Sequence, residues 1–238
     1  MKKVFAILAA TVLFSAMATA QLGINVGYAP QTYKNTYTYS DGTTSTSVSE
    51  MNGFFAGVNY NINLTGDLNV SVGADFRYNT SSDTTAGSII IASGSVKNTH
   101  TQMLIDVPIL FNYGLRLTDA LKISVFVGPT VSYALSGNTH TTTTVNVLGT
   151  VTTKESDRDW YGDNSSRKKL DIGGTIGVNL QYNDLRIFGG YNLGLLNTTD
   201  ASNYTLKGSN YFVGIGYLLS SICIERKRRP ERVAFFIC

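Results

Sequence analysis

The sequence predicts an all-β fold, an eight-stranded antiparallel up-and-down transmembrane β-barrel with long extracellular loops and short periplasmic turns. Three observations carry this expectation. Apolar and polar residues alternate with a period of two along eight segments, the connections between them alternate long and short, and tyrosines mark both ends of the apolar faces.

The central pair of segments has the fullest pattern. Met103, Ile105, Val107, Ile109, Phe111, Tyr113, Leu115 and Leu117 share one face, against Asp106, Asn112, Gly114 and Arg116. After a turn at Thr118-Asp119-Ala120, Ile123, Val125, Val127, Pro129, Val131 and Tyr133 oppose Lys122, Ser124, Gly128, Thr130, Ser132 and Ala134. A period of two is that of a strand. A tilted strand of about 9 to 11 residues crosses the hydrocarbon core of a bilayer, and both arms reach that length. The glycines, small hydroxyls and isolated charges of the second face suit a narrow polar lumen.

From the start of the chain, Lys2 and Lys3 precede an apolar run, and Ala18-Thr19-Ala20 follows it, which reads as a secretory signal peptide over 1–20. Residues 21–219 are expected to form the barrel and 220–238 an atypical basic tail. The formal net charge of +3 misleads about partners, since the signal carries +2 and the tail five basic against two acidic residues, leaving residues 21–220 at −2. No basic surface for nucleic acid remains there. Both cysteines, Cys223 and Cys238, lie in the tail, so no disulfide framework is expected in the barrel.

The other strands follow in order. Leu22, Ile24, Val26 and Tyr28 mark the first; Phe54, Ala56, Val58, Tyr60, Ile62 and Leu64 the second; Leu68, Val70, Val72, Ala74, Phe76 and Tyr78 the third. The sixth sets Leu170, Ile172, Ile176, Val178, Leu180 and Tyr182 outward, the seventh spans Leu185 to about Asn197, and the eighth runs from Asn210 to Leu219. The connections 29–52, 79–101 and 136–169 are long and are expected outside, 65–67, 118–120 and 183–184 are short and periplasmic, and 198–209 is intermediate. Tyr28, Tyr78, Tyr133 and Tyr211 fall at the outer strand ends and Tyr60, Tyr113, Tyr182 and Tyr217 at the inner ends, as interface belts require. A secreted β-sandwich is the competing fold, disfavoured by strand length, the signal peptide and the two belts.

Eight strands enclose an interior just filled by side chains, so no wide pore is expected. Asp75, Arg77, Asp106, Arg116, Lys122, Asp171 and Arg186 have inward parity, and Asp106 is expected beside Arg77 as a structural ion pair rather than a proton or ion path. Gly57, Gly73, Gly128, Gly177 and Gly214, also inward, are expected to relieve crowding. His100 and His140 are the only histidines, and serines and acids surround both, so a lipid-modifying enzyme stays open as an alternative. No catalytic, cofactor-binding or metal-ligating residue is assigned, and no cofactor is expected. The outer connections are rich in Thr, Ser, Asn and Tyr and read as solvated loops; the alternative is a contact patch of Tyr33, Tyr37 and Tyr39 with Trp160 and Tyr161.

Residues 105–110 (Ile-Asp-Val-Pro-Ile-Leu) before Tyr113, together with Phe126-Val127-Gly128-Pro129, Asp171-Ile172-Gly173, Tyr191-Asn192-Leu193-Gly194-Leu195 and the run Tyr211 to Tyr217, carry a family resemblance. The mature region resembles the small outer-membrane β-barrel family that includes PorT-like proteins and, more distantly, the OmpX and OmpA barrels. The resemblance implies export through the periplasm, insertion into the cell outer membrane by the barrel-assembly machinery, and outer-membrane lipids including lipopolysaccharide as surroundings. It implies no single activity. The expected role is structural or an interaction through surface loops with an extracellular partner; a secretion or transport accessory is the alternative. One departure is Leu219, where such barrels usually end on an aromatic residue, followed by the tail, read as an appendage in preference to a periplasmic binding segment or membrane-surface helix.

Overall fold

A computed structural model describes residues 21–219, apart from Gly66, Ile90, Ile91 and Asn164. The expected signal peptide and the basic tail lie outside the described residues. Ten strands form: β1 Gln21–Tyr28, β2 Gln31–Thr38, β3 Thr44–Thr65, β4 Leu68–Ile89, β5 Ala92–Arg116, β6 Leu121–Val147, β7 Thr150–Asp159, β8 Leu170–Tyr182, β9 Leu185–Gly194 and β10 Tyr204–Leu219. Eight of them close a ring, β1-β3-β4-β5-β6-β8-β9-β10 and back to β1, every pair antiparallel. The seam between β1 and β10 runs from Leu22 opposite Leu219 to Tyr28 opposite Val213. Closure leaves the wall no free edge, which is what a sheet in hydrocarbon requires.

The period-two pattern becomes two surfaces. Ile176, Val125 and Val213 stand outward at 61%, 55% and 53% exposure, while Ser124, Thr130 and Thr175 on the other parity are buried. An exposed apolar belt of this extent needs an apolar solvent. The inner tyrosines sit beside the short turns, where Leu22 faces Tyr60, Leu68 faces Tyr113 and Leu121 faces Tyr182. Asn183 takes the left-handed conformation in the shortest turn, with φ of 50°, which asparagine tolerates better than most residues.

The connections expected as long loops are mostly strand. Past Pro30, which has no N–H to give to the ladder, β2 keeps the register of β1 against both β3 and β10, so the two are one strand interrupted at residues 29–30. β4 and β5 stay paired up to Ile89 opposite Ala92, and β6 turns back into β7 at Leu148-Gly149, both with positive φ as a two-residue hairpin demands. β10 likewise begins at Tyr204 rather than residue 210, and β9 ends at Gly194 rather than near residue 197. The extensions of β4 to β7 escaped the pattern reading because both of their faces meet water, whereas β2 and the start of β10 bury only isolated residues such as Tyr33 and Leu206 on one face. In the former, Thr, Ser and Asn alternate only with one another.

Candidate functional site

Inside the wall, inward parity collects the charges that the sequence placed there. Arg77 on β4 and Asp106 on β5 form a two-pronged pair, Nε to Oδ2 at 2.8 Å and Nη2 to Oδ1 at 3.1 Å, with Arg77 only 3% exposed. Its remaining Nη1 donates to Gln31 Oε1. Arg186 on β9 donates instead to two amides, Asn25 Oδ1 at 2.7 Å and Asn59 Oδ1 at 2.6 Å. Asp75, directly opposite Asp106 in the ladder, and Asp171, which lines a second small cavity with Arg77, add two further acids. A guanidinium held at both prongs is fixed in place, and the Asp106 carboxylate against it limits the cost of burying the Arg77 charge. The cavity lined by Asp75, Arg77, Asp106 and Arg186 holds only 120 Å³. Arg116 lies exposed near the short-turn end, and Lys122 lays its stem across Gly114.

The rest of the lumen is filled by residues that the sequence reading passed over. Phe55, Phe126, Phe188 and Phe212 point inward, and each sits directly opposite a glycine in the adjacent strand: Gly27, Gly177, Gly214 and Gly190 respectively. A Cβ at Gly190 or Gly214 would lie 2.7 Å from the Phe212 or Phe188 ring. The rings meet one another across the lumen at centroid distances of 6.1 to 6.3 Å. Glycine leaves room for a phenyl ring to lie over the neighbouring backbone. The signal was available as an inward-parity aromatic opposite a glycine, once strand register was known.

At the outer end, the segment 160–169 leaves the wall between β7 and β8 and folds over the lumen. Trp160 Nε1 donates to Thr139 Oγ1 at 2.7 Å, and Gln102 Nε2 donates to the Tyr161 hydroxyl at 2.8 Å. Buried Gln102 also accepts from the Tyr33 hydroxyl at 2.6 Å. The Arg167 guanidinium lies 4.2 Å from the Trp160 ring centroid and 4.7 Å from that of Tyr33, and Lys168 pairs with Asp200 at 2.7 Å. Tyr33, Met51 and Leu206 make a small apolar core here, packed against Trp160 and Tyr204. Burial pushes the Tyr161 phenol up to about 12 and raises that of Tyr33. The contact patch weighed from sequence is therefore divided. Tyr33, Trp160 and Tyr161 turn into the closure, while Tyr37 and Tyr39 remain exposed, their rings 4.9 Å apart.

Above Asn52, opposite Thr80, β3 and β4 part. The β2–β3 hairpin goes one way, and β4, β5, β6 and β7 continue as a four-stranded outer sheet. Between them, over the closure, opens a crevice of about 380 Å³ lined by Asn35, Ser49, His100, Arg158, Ser166 and Arg167, among others.

The two histidines lie on opposite faces of this sheet. His100 lines the crevice, with Nδ1 2.9 Å from Thr139 Oγ1 and Nε2 3.6 Å from Asp83. His140 Nδ1 donates to Asp157 at 2.8 Å on the outer face, which holds that carboxyl below the usual range. Each array has the order carboxylate, imidazole, threonine, the second ending on Thr142 Oγ1 3.4 Å from His140 Nε2, but the Thr139 hydroxyl already accepts from Trp160, and Asp157 is 65% exposed, where water screens its field.

A closed antiparallel barrel with an apolar exterior, tyrosines at both rims and a sealed polar interior defines an outer-membrane-type β-barrel protein. Residues 14–200 match the model of the outer membrane protein beta-barrel domain family, and the chain belongs to that family. It is accordingly a protein of the cell outer membrane. No curated protein matches it. Among solved structures it is similar to the attachment invasion locus protein Ail of Yersinia pestis, at 14% identity over 84% of this chain and 99% of that one, with a TM-score of 0.37. It is also similar to the Neisserial surface protein NspA (10%, 82% and 96%, 0.32) and to the outer membrane protease OmpT of Escherichia coli (9%, 84% and 97%, 0.39). None of these chains lends a functional residue to this one.

Proposed function

We propose that the protein works by binding at the cell surface, through the ordered sheet and crevice beyond its outer tyrosine rim, and that it provides no wide pore. The contrast between the two ends of the same strands carries this reading. The lumen is occupied by paired charges, phenyl rings and the 160–169 segment, whereas the crevice above it is open to solvent and lined by hydroxyls, an amide, the cationic groups of Arg158 and Arg167, the Asp159 carboxylate, and Tyr33, Met51, Trp160, Tyr204 and Leu206. Such a lining suits an amphipathic ligand that offers an anionic group to the arginines and an apolar face to the rings.

The test compares cells displaying the full-length protein with cells displaying a variant whose two outer hairpins are trimmed at the Thr84–Lys97 and Thr142–Glu155 pairs and whose crevice carries Arg158→Gln and Ser49→Leu. Both are exposed to arrayed neutral and anionic glycans and matrix proteins. Binding by the full-length protein that disappears in the trimmed, crevice-substituted variant, with surface level and boiling-dependent gel mobility intact, is the expected result. Binding unchanged in that variant, or free diffusion of small sugars into proteoliposomes, overturns the reading.

A further inference from the structure

We propose that Lys34 and Lys207 form a clamp on the lipid-facing exterior of the barrel that takes the phosphate of an outer-leaflet lipid. The two lysines are direct cross-strand partners in the β2–β10 ladder, and both are exposed. Lys207 shares its parity with Tyr211, Val213 and Ile215, all exposed on the apolar belt, so the pair points away from the lumen. Like charges placed directly opposite one another weaken a ladder. Neither lysine takes part in any of the ion pairs among the described residues. Glu50, on β3 opposite Thr32, is the nearest acid by register, one exposed carboxylate beside two ammonium groups. A phosphate between the lysines replaces their repulsion with shared, charge-assisted hydrogen bonds.

The position of the pair selects a lipid over free phosphate. Lys207 lies four residues beyond Tyr211 of the outer rim, which at 3.3 Å per residue and a tilt near 45° is roughly 9 Å above it. That is headgroup depth, and a lysine stem can return its ammonium toward the interface. Val48, opposite Lys34, is 60% exposed, and Leu193, opposite Ser209, is 49% exposed. Two cations beside exposed apolar side chains match the junction of a phosphate with acyl chains. The clamp is independent of the crevice and of what binds there.

The experiment uses the full-length protein in phosphatidylcholine nanodiscs doped with bisphosphorylated lipid A, dephosphorylated lipid A or phosphatidylglycerol, and counts retained lipid by native mass spectrometry. The variants are K34Q/K207Q, K34R/K207R and, as a control, K97Q; gel mobility before and after boiling verifies that each is folded. Retention of bisphosphorylated lipid A is expected to fall about tenfold or more in K34Q/K207Q and to persist in K34R/K207R and K97Q. Dephosphorylated lipid A is expected not to be retained. Equal retention of phosphatidylglycerol assigns the clamp to phosphodiesters, and weaker retention assigns it to the monoesters of lipid A. Retention unchanged in K34Q/K207Q, equal retention of the dephosphorylated lipid, or displacement by millimolar inorganic phosphate overturns the proposal.

Discussion

Below and above the outer tyrosine rim, β4, β5 and β6 are the same three strands in two surroundings. Below it, Val125 and Val127 face outward while Arg77 and Ser124 are buried, because one side of the sheet meets lipid and the other a packed lumen. Above it, β4 runs eleven residues past Tyr78 to Ile89 with Ser and Thr on both faces. The hydrogen-bond ladder is continuous through the boundary, apart from a bulge between Met103 and Leu104 that inserts Leu135 on β6. Pairing is thus the property that the two regions share. Side-chain burial is the property that separates them, so the lower region is expected to hold the stability and the upper one to be free for recognition.

The largest break in that contrast should come from Arg77→Leu. It leaves the Asp106 carboxylate without its partner in the lumen and is expected to cost about 3–5 kcal/mol, read as a lower urea midpoint for loss of the compact, boiling-sensitive gel band. Gly190→Val comes next. It forces a side chain into the Phe212 ring and the Ile176 carbonyl, for a loss of roughly 1–3 kcal/mol by overpacking.

Smaller effects belong to the closure at the boundary. Tyr161→Phe removes the bond from Gln102, for about 1 kcal/mol. Trp160 is the single tryptophan of the chain and lies within the segment, so its fluorescence reports docking. Docking holds the Tyr161 phenol neutral. Its contribution is fully present below the ordinary tyrosine value near 10 and is lost as pH climbs through about 12, so the emission should shift over that interval while the barrel band persists. In Tyr161→Phe, this part of the shift should vanish. The smallest effect is expected from trimming the β4–β5 hairpin at the Thr84–Lys97 pair, which should leave the urea midpoint of the barrel within about 0.5 kcal/mol of its original stability. A large loss there would mean that the outer sheet supports the wall.

Period-two alternation located the eight wall strands, the short turns and the two tyrosine rims, because each wall strand has one face in lipid and one in the lumen. Parity and the length of the β4–β5 connection sufficed to bring Arg77 to Asp106. The partner of Arg186 was not legible, since Asn25 and Asn59 are carried to it only by closure of β1 against β3 and β10. Nor were the phenylalanine rings opposite glycines, because which glycine faces which ring depends on register between strands far apart in sequence.

By itself, then, the sequence determined the class of fold, the faces of its strands and the charges of its lumen, all of which follow from local periodicity in an anisotropic solvent. The tertiary structure alone decided that the long connections extend the sheet, that residues 160–169 close the mouth and that Lys34 meets Lys207. The hairpin extensions lack a local signal because both of their faces are polar, and the closure and the Lys34–Lys207 contact rest on pairing across long separations, of which the chain carries no local record.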